Sequence, residues 1–123
     1  MSKGVLIVDD NPAVRKGLRV YLEERAGIAV CGEAVDGDDA IHKAEELHPD
    51  VIVLDFSMPK LNGLEAGRAI RQKFPGASLI LYTGYKGVIR ESDVRAAGIS
   101  GVFWKGEDLK KLVTRIQVLL TAA

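Results

Sequence analysis

Short runs of aliphatic residues alternate along the chain with longer segments in which apolar residues recur at helical spacing. The short runs have no polar face, a pattern that is typical of strands buried on both sides. The strands predicted in this way are 5–8, 28–31, 51–54, 79–82 and 102–104. Each predicted strand is followed by a segment long enough for a helix.

The longer segments predict helices whose bounds follow from local start and stop signals. Asn11 and Pro12 form an N-cap followed by proline, and Gly27 stops the first helix. A turn at Asp36 and Gly37 precedes the second helix. The predicted helices are 12–26, 40–47, 63–74, 88–97 and 107–121.

This alternation predicts an α/β fold, in which a parallel sheet carries helices on both faces. Right-handed crossovers leave few topologies open, and the leading choice is a doubly wound (βα)5 domain with strand order 2-1-3-4-5. We expect one domain spanning residues 1–123. In such folds the reactive groups lie beyond the carboxyl ends of the strands, so the residues at those ends are the first candidates for a site.

Composition narrows the class of protein further. The chain has 17 basic and 17 acidic residues, so its net charge is zero. The sequence therefore predicts no direct electrostatic binding to nucleic acid or to an acidic membrane. Cys31 is the single cysteine, which excludes an intramolecular disulfide and fits a reducing compartment. No apolar run is long enough for a membrane span or a signal peptide, so we expect a cytoplasmic protein.

Polar residues of complementary chemistry follow four of the predicted strands. Asp9 and Asp10 follow the first strand, Asp55 the third, Thr83 the fourth and Lys105 the fifth. The first and third strands are neighbours in the predicted order, so three carboxylates converge and repel unless a cation joins them. Carboxylate ligands with open positions suit a hard ion such as Mg²⁺.

Each of these residues also has a structural interpretation. Asp9 and Asp10 could stabilise the start of a helix through its dipole, and Asp55 could be a loop acid. Lys105 could be a surface lysine with a partly buried stem. It is the combination of these residue types at the same ends of four strands that favours a site.

The motifs around these positions resemble those of the response-regulator receiver domains of bacterial two-component signalling. The matching runs are VLIVDDNP at 5–12, DFSMP at 55–59 with NGLE at 62–65, LYTG at 81–84 and AGISGVFWK at 97–105. The resemblance covers essentially the whole chain, and it implies the flavodoxin-like version of the doubly wound fold. The pattern most resembles receivers found upstream of helix-turn-helix DNA-binding domains, which implies a part in transcription regulation.

The resemblance implies a role for each residue at the strand ends. Asp55 would accept a phosphoryl group from a histidine kinase, Lys105 would pair with a phosphate oxygen, and the Thr83 hydroxyl would bind another. The domain would assist its own phosphoryl transfer and autodephosphorylation, and would not be an enzyme in the usual sense.

The resemblance also implies a Mg²⁺ site. Asp10 and Asp55 would bind the ion directly, together with the backbone carbonyl of Ser57, whereas Asp9 would act through a bound water. Phosphorylation would then change the face formed by the fourth helix, the fifth strand and the fifth helix. The expected partners at that face are an output domain or a second copy of the domain.

Some positions depart from the family pattern. Gly106 stands where proline is usual, and Val102 stands where an aromatic ring is usual. Phe56 stands where a smaller aliphatic residue is usual, and we expect it to pack on the third helix side. Tyr85, two residues after Thr83, is predicted to shield the acyl phosphate from water.

Two alternative functions stay open at this point. An aspartyl-phosphate enzyme of the haloacid dehalogenase type would need a second Asp two residues after the nucleophile, where this chain has Ser57. A phosphorylation-independent, receiver-like interaction scaffold is the other alternative, and the departures at Val102 and Gly106 are what keep it open.

Overall fold

Five parallel strands form one sheet in the computed structural model, which describes residues 4–121. The strands are β1 (Val5–Val8), β2 (Val30–Ala34), β3 (Val51–Leu54), β4 (Ser78–Thr83) and β5 (Ile99–Trp104). The helices are α1 (Pro12–Val20), α2 (Gly37–Leu47), α3 (Gly63–Lys73), α4 (Glu91–Ala96) and α5 (Leu109–Thr121). The strand order is β2-β1-β3-β4-β5, so the predicted doubly wound fold is confirmed.

The two central strands lie in register, and this alignment positions the site. Val8 is paired with Leu54, the last residue of each strand. The Asp55 amide continues the ladder by donating to the Val8 carbonyl at 3.0 Å. The two acids that follow β1 and β3 therefore leave the sheet side by side.

Each face of the sheet has its own hydrophobic layer, which explains why the central strands have no polar face. Leu6 and Val8 belong to the layer beneath α2, α3 and α4, whereas Val5 and Ile7 belong to the layer beneath α1 and α5. Side chains alternate between the faces of a strand, so both sets must be apolar when both faces are covered. Among residues 4–121, no helix has the length and apolar character needed to cross a membrane.

The predicted bounds of the two edge strands were wrong. β2 is Val30–Ala34 and not 28–31, and β5 begins at Ile99 and not at 102. Edge strands tolerate polar and small residues because one edge is solvated, and Glu33, Ser100 and Gly101 interrupt the apolar runs. The hydrophobic pattern alone therefore marks their ends poorly.

Helix starts also differ from the prediction at three places. Asp36 is the N-cap of α2, since its side chain accepts from the Asp39 amide at 2.8 Å, and Gly37 is already helical. α4 begins at Glu91, because Arg90 has an extended backbone, and α5 begins at Leu109. The first helix ends in a π-helical segment, Tyr21–Arg25, before Gly27 at φ +64°.

Candidate functional site

The residues predicted from the strand ends meet in one open cavity of about 350 Å³. Its lining consists of Asp9, Asp10, Asn11, Asp55, Ser57, Thr83, Gly84, Tyr85 and Lys105. The parallel strands bring their carboxyl ends to one edge, so residues distant in sequence become neighbours without any long loop. Every residue that the sequence suggested for phosphoryl or metal chemistry lies in this cavity.

Asp55 is buried, and both of its carboxylate oxygens have donors. Its side chain is 7% exposed. Oδ1 accepts from the Thr83 hydroxyl at 2.5 Å and from the Ser57 amide at 3.4 Å. Oδ2 lies 3.3 Å from Nζ of Lys105. The carboxylate is thereby held between a hydroxyl and an ammonium group at the tip of a rigid strand.

Asp9 forms the closer ion pair with Lys105. Its Oδ2 lies 2.6 Å from Nζ, and its Oδ1 accepts from the Asn11 amide at 2.9 Å. Burial raises the pKa of Asp9, and the Asp55 carboxylate adds to this, while the hydrogen bonds from Lys105 and Asn11 oppose it. For Lys105, burial lowers the pKa, but the hydrogen bond to Asp9 and the charge of Asp55 outweigh it, so the net shift is upward. Lys105 therefore stays charged between the two acids.

The three aspartates form a set of ligands that fits a hard divalent cation. Oxygen atoms of Asp9, Asp10 and Asp55 all lie within 4.8 Å of one another. Asp10 is exposed and forms no hydrogen bond or ion pair within residues 4–121, so its carboxylate is free to bind. Carboxylate oxygens that face an open cavity suit an ion that keeps several waters. This acidic pocket could hold a metal ion.

The structure shows the surroundings of the three positions that depart from the family pattern, Gly106, Val102 and Phe56. Gly106 has φ +94°, a conformation that favours glycine, and the described residues contain no cis peptide bond. Val102 is half-buried against the layer beneath α4. The Phe56 carbonyl accepts from the Gly63 amide at the start of α3, but the Phe56 ring lies against Tyr85, with centroids 4.5 Å apart. Phe56 thus contacts the start of α3 through its backbone carbonyl and Tyr85 through its ring, and the packing of that ring on the third helix stays a prediction.

The sequence interpretation missed two contacts of the site. One is this ring pair, for which the signal was an aromatic residue in each of two loops that follow neighbouring strands. The other is Arg15, whose Nη1 donates to the Asp9 carbonyl at 2.6 Å. A long side chain on a helix gives no sequence signal for such a contact.

Replacing Lys105 with methionine is expected to destabilise the metal-free protein by about 2–3 kcal/mol. The substitution leaves two buried carboxylates without their cation, and partial exposure of Lys105 places the loss below that of a fully buried pair. Added Mg²⁺ is expected to recover part of the loss, because it supplies positive charge to the same carboxylates. Urea unfolding with and without Mg²⁺ measures both effects.

Lys60→Met is the matched control. Lys60 is largely exposed, and within residues 4–121 its one carboxylate partner is Asp36, 3.9 Å away. We expect this substitution to change the free energy of unfolding by no more than about 0.5 kcal/mol. Equal stability of Lys105→Met and the parent protein would contradict the assignment of Lys105 as the counter-ion of the two acids.

Comparison with known proteins places this geometry in a family. Residues 5–117 match the family model described as response regulator receiver domain. The chain is 34% identical over 114 residues to the transcriptional regulatory protein YhcZ of Bacillus subtilis, covering 93% of this chain and 53% of that protein. It thus spans about half the length of the curated relatives it matches.

Solved structures agree with the family match. A LuxR-family two-component response regulator from Aurantimonas sp. SI85-9A1 superposes with a TM-score of 0.88 at 36% identity, covering 98% of this chain and 86% of that chain. The isolated REC domain of RcsB from Salmonella enterica serovar Typhimurium, solved with phosphomimetic BeF3−, superposes with a TM-score of 0.82 at 30% identity. This match covers 96% of this chain and 90% of that chain. Receiver domains of response regulators are phosphoacceptor signalling domains that interact with histidine kinases and output domains. From the match over residues 5–117 and from these relatives, the chain belongs to the response regulator receiver domain family.

Proposed function

We propose that residues 1–123 form one receiver domain that takes a phosphoryl group from a histidine kinase onto Asp55 and changes its partner-binding face in response. The observation that carries this proposal is the environment of Asp55. Its carboxylate is buried, yet it faces an open cavity, with the Thr83 hydroxyl on one oxygen and the Lys105 ammonium beside the other. A structural acid does not need an open cavity in front of it.

In the proposed transfer, a carboxylate oxygen of Asp55 attacks phosphorus. A carboxylate–phosphorus bond forms while the bond from phosphorus to the kinase histidine breaks. Lys105 is placed to hold a phosphoryl oxygen by charge, and Thr83 to donate its hydroxyl to another. Mg²⁺ held by Asp10, Asp55 and the Ser57 carbonyl, with Asp9 acting through a bound water, would supply positive charge to the transferring group.

The proposed switch begins with Thr83. Its hydroxyl donates to Asp55, and it also accepts from the Tyr85 amide at 3.2 Å. A phosphoryl group on Asp55 takes over the acceptor that Thr83 now uses, so Thr83 turns to a phosphate oxygen and draws the loop after β4 with it. Phosphorylation therefore shifts the population between two arrangements of that loop.

The proposed readout is the face formed by α4, β5 and α5. A groove of about 440 Å³ between α4 and β5 is lined partly by Ile89, Val94, Val102 and Trp104, and it borders the loop that Thr83 would move. Its expected occupants are an output domain or a second copy of the chain. Because relatives are about twice as long, the output remains part of the proposal. A cytoplasmic location and the lack of direct nucleic-acid binding by this domain stay predictions.

The deciding experiment is phosphorylation of the purified domain by acetyl phosphate with Mg²⁺ or with EDTA. We expect the mass of one phosphoryl group to be gained only with Mg²⁺, and peptide mapping to place it on Asp55. Trp104 is partly exposed beside Lys105, so its fluorescence should respond first to Mg²⁺ and again to the phosphoryl donor. A protein that gains no phosphoryl mass and binds no Mg²⁺ would instead be a receiver-like interaction scaffold.

Tyr85→Ala is expected to speed dephosphorylation several-fold. Tyr85 lines the cavity and its ring rests on Phe56, a placement from which it can cover part of the path by which water reaches Asp55. The rate is measured as loss of phosphoryl mass after the donor is removed. Val88→Ala, in the same loop but 86% exposed, is the control and is expected to leave the rate unchanged. A Tyr85→Ala rate equal to that of the parent protein would show that Tyr85 only covers apolar surface.

A further inference from the structure

The backbone carbonyl of Asp9 accepts a hydrogen bond from a side chain of α1. Nη1 of Arg15 donates to this oxygen at 2.6 Å. The other polar atoms of Asp9 also have partners: its amide donates to the Ala34 carbonyl at 3.1 Å, and its carboxylate binds Asn11 and Lys105. Asp9 is therefore fixed at each of its polar atoms, and Arg15 supplies the contact to its carbonyl.

Arg15 is itself held by an acid on the neighbouring strand. Its Nε lies 3.1 Å from Oε1 of Glu33 in β2, and its side chain is only 14% exposed. Glu33 uses its other oxygen, Oε2, for Arg19 at 2.9 Å, and Lys43 donates to the Glu33 carbonyl. Arg15 thus reaches from α1 to two strand ends at once, with a different guanidinium nitrogen on each.

The carbonyl that Arg15 holds belongs to the peptide group that carries Asp10. A peptide group is planar, so the direction of the Asp9 carbonyl sets the direction of the Asp10 amide and the position of the Asp10 Cα, from which the side chain starts. Asp10 is exposed, and no group within residues 4–121 forms a hydrogen bond or ion pair with its carboxylate. The position of the Asp10 carboxylate relative to Asp9 and Asp55 therefore depends on the orientation of this one peptide.

We propose that Arg15, braced by Glu33, is a positioning residue that orients the Asp9–Asp10 peptide and so prepares the acidic pocket for its cation. The inference rests on the proposed Mg²⁺ site. Arg15 touches neither the cation nor the phosphoryl group, and it acts only through the backbone of Asp9. Partners that orient metal ligands in this way commonly change metal affinity by about tenfold or more when they are removed.

The test compares Arg15→Gln with Arg19→Gln. Both variants remove one guanidinium from Glu33, but Arg19 forms no hydrogen bond with Asp9, so the second variant reproduces the loss of charge at Glu33 without the loss of the carbonyl contact. Arg19→Gln also removes the exposed pair with Glu23, which lies on the same helix and not at the site. Mg²⁺ affinity is measured by Trp104 fluorescence, and amide hydrogen exchange of Asn11 is measured without metal. We expect Arg15→Gln to weaken Mg²⁺ binding about tenfold and to speed exchange at Asn11, whereas Arg19→Gln changes neither.

A second pair of variants, Arg15→Lys and Arg19→Lys, keeps the charge and the apolar stem and guards against loss of folding in the glutamine variant. A lysine has one ammonium and cannot serve the Asp9 carbonyl and Glu33 with two fixed nitrogens, so weaker Mg²⁺ binding is expected only at position 15. Equal Mg²⁺ affinity of the folded Arg15 and Arg19 variants overturns the inference. A parent protein that binds no Mg²⁺ overturns the proposed metal site instead, so the two failures are distinguishable.

Discussion

Asp55→Asn is expected to abolish phosphoryl transfer to position 55 while leaving the fold intact. Asparagine has the shape of aspartate and keeps a carbonyl oxygen that can accept from the Thr83 hydroxyl. It has no anionic oxygen to attack phosphorus, so the covalent step is lost outright. The Lys105–Asp9 pair at 2.6 Å remains and keeps the ammonium in place. Removing one of two neighbouring buried carboxylates also relieves repulsion, so we expect little loss of stability.

The measurement is intact mass after incubation with acetyl phosphate and Mg²⁺, with peptide mapping of any product. Asp38→Asn, an exposed acid on α2, is the control and should gain the phosphoryl group as the parent protein does. Phosphorylation of Asp55→Asn at the parental rate, mapped to Asp9 or Asp10, would show that another carboxylate is the acceptor. A slow residual gain at those acids would not contradict the proposal, because they face the same cavity.

The central part of the fold could be predicted from the sequence because burial there leaves little freedom in residue choice. Both faces of β1 and β3 are covered, so Val5–Val8 and Val51–Leu54 are entirely aliphatic and their ends are unambiguous. An acid directly after such a strand stands out for the same reason. The placement of Asp9 and Asp55 therefore follows from pattern and strand order together.

The remaining features depend on interactions that a linear pattern does not contain. β2 and β5 lie at the sheet edges, where polar residues such as Glu33 and Ser100 are tolerated and blur the strand ends. The Arg15 contact depends on the direction that a long side chain takes from α1. The ring pair of Phe56 and Tyr85 depends on how two loops fold above neighbouring strands. Each of these is set by tertiary packing and not by local preference.

Gly63→Ala is expected to lower the free energy of unfolding by about 3 kcal/mol, through a collision that reaches Asp55, the proposed phosphoacceptor. A Cβ on Gly63 would lie 2.4 Å from the Asp55 carbonyl oxygen, 2.8 Å from Leu81 Cδ2 and 3.0 Å from Phe56 Cα. Two of these atoms are backbone, so they cannot move aside by a rotamer change. Relief requires a shift of the start of α3 or of the segment that carries Asp55.

Because of this collision, Gly63→Ala is expected to lower both the free energy of unfolding and the affinity for Mg²⁺. Cavity-forming or surface substitutions away from the site are not expected to lower both. Urea unfolding should show lower stability. The folded fraction of Gly63→Ala should also bind Mg²⁺ more weakly, because the displaced segment carries Asp55 and Ser57, two of the proposed ligands. Gly17→Ala is the matched control, since its Cβ meets nothing within 4 Å in the middle of α1. The free energy of unfolding of Gly17→Ala is expected to rise by about 0.5–1 kcal/mol, because alanine loses less backbone entropy than glycine when it enters a helix. A Gly63→Ala protein as stable as the parent would mean that the backbone near Asp55 yields easily, and a rigid presentation of Asp55 by β3 would then be wrong.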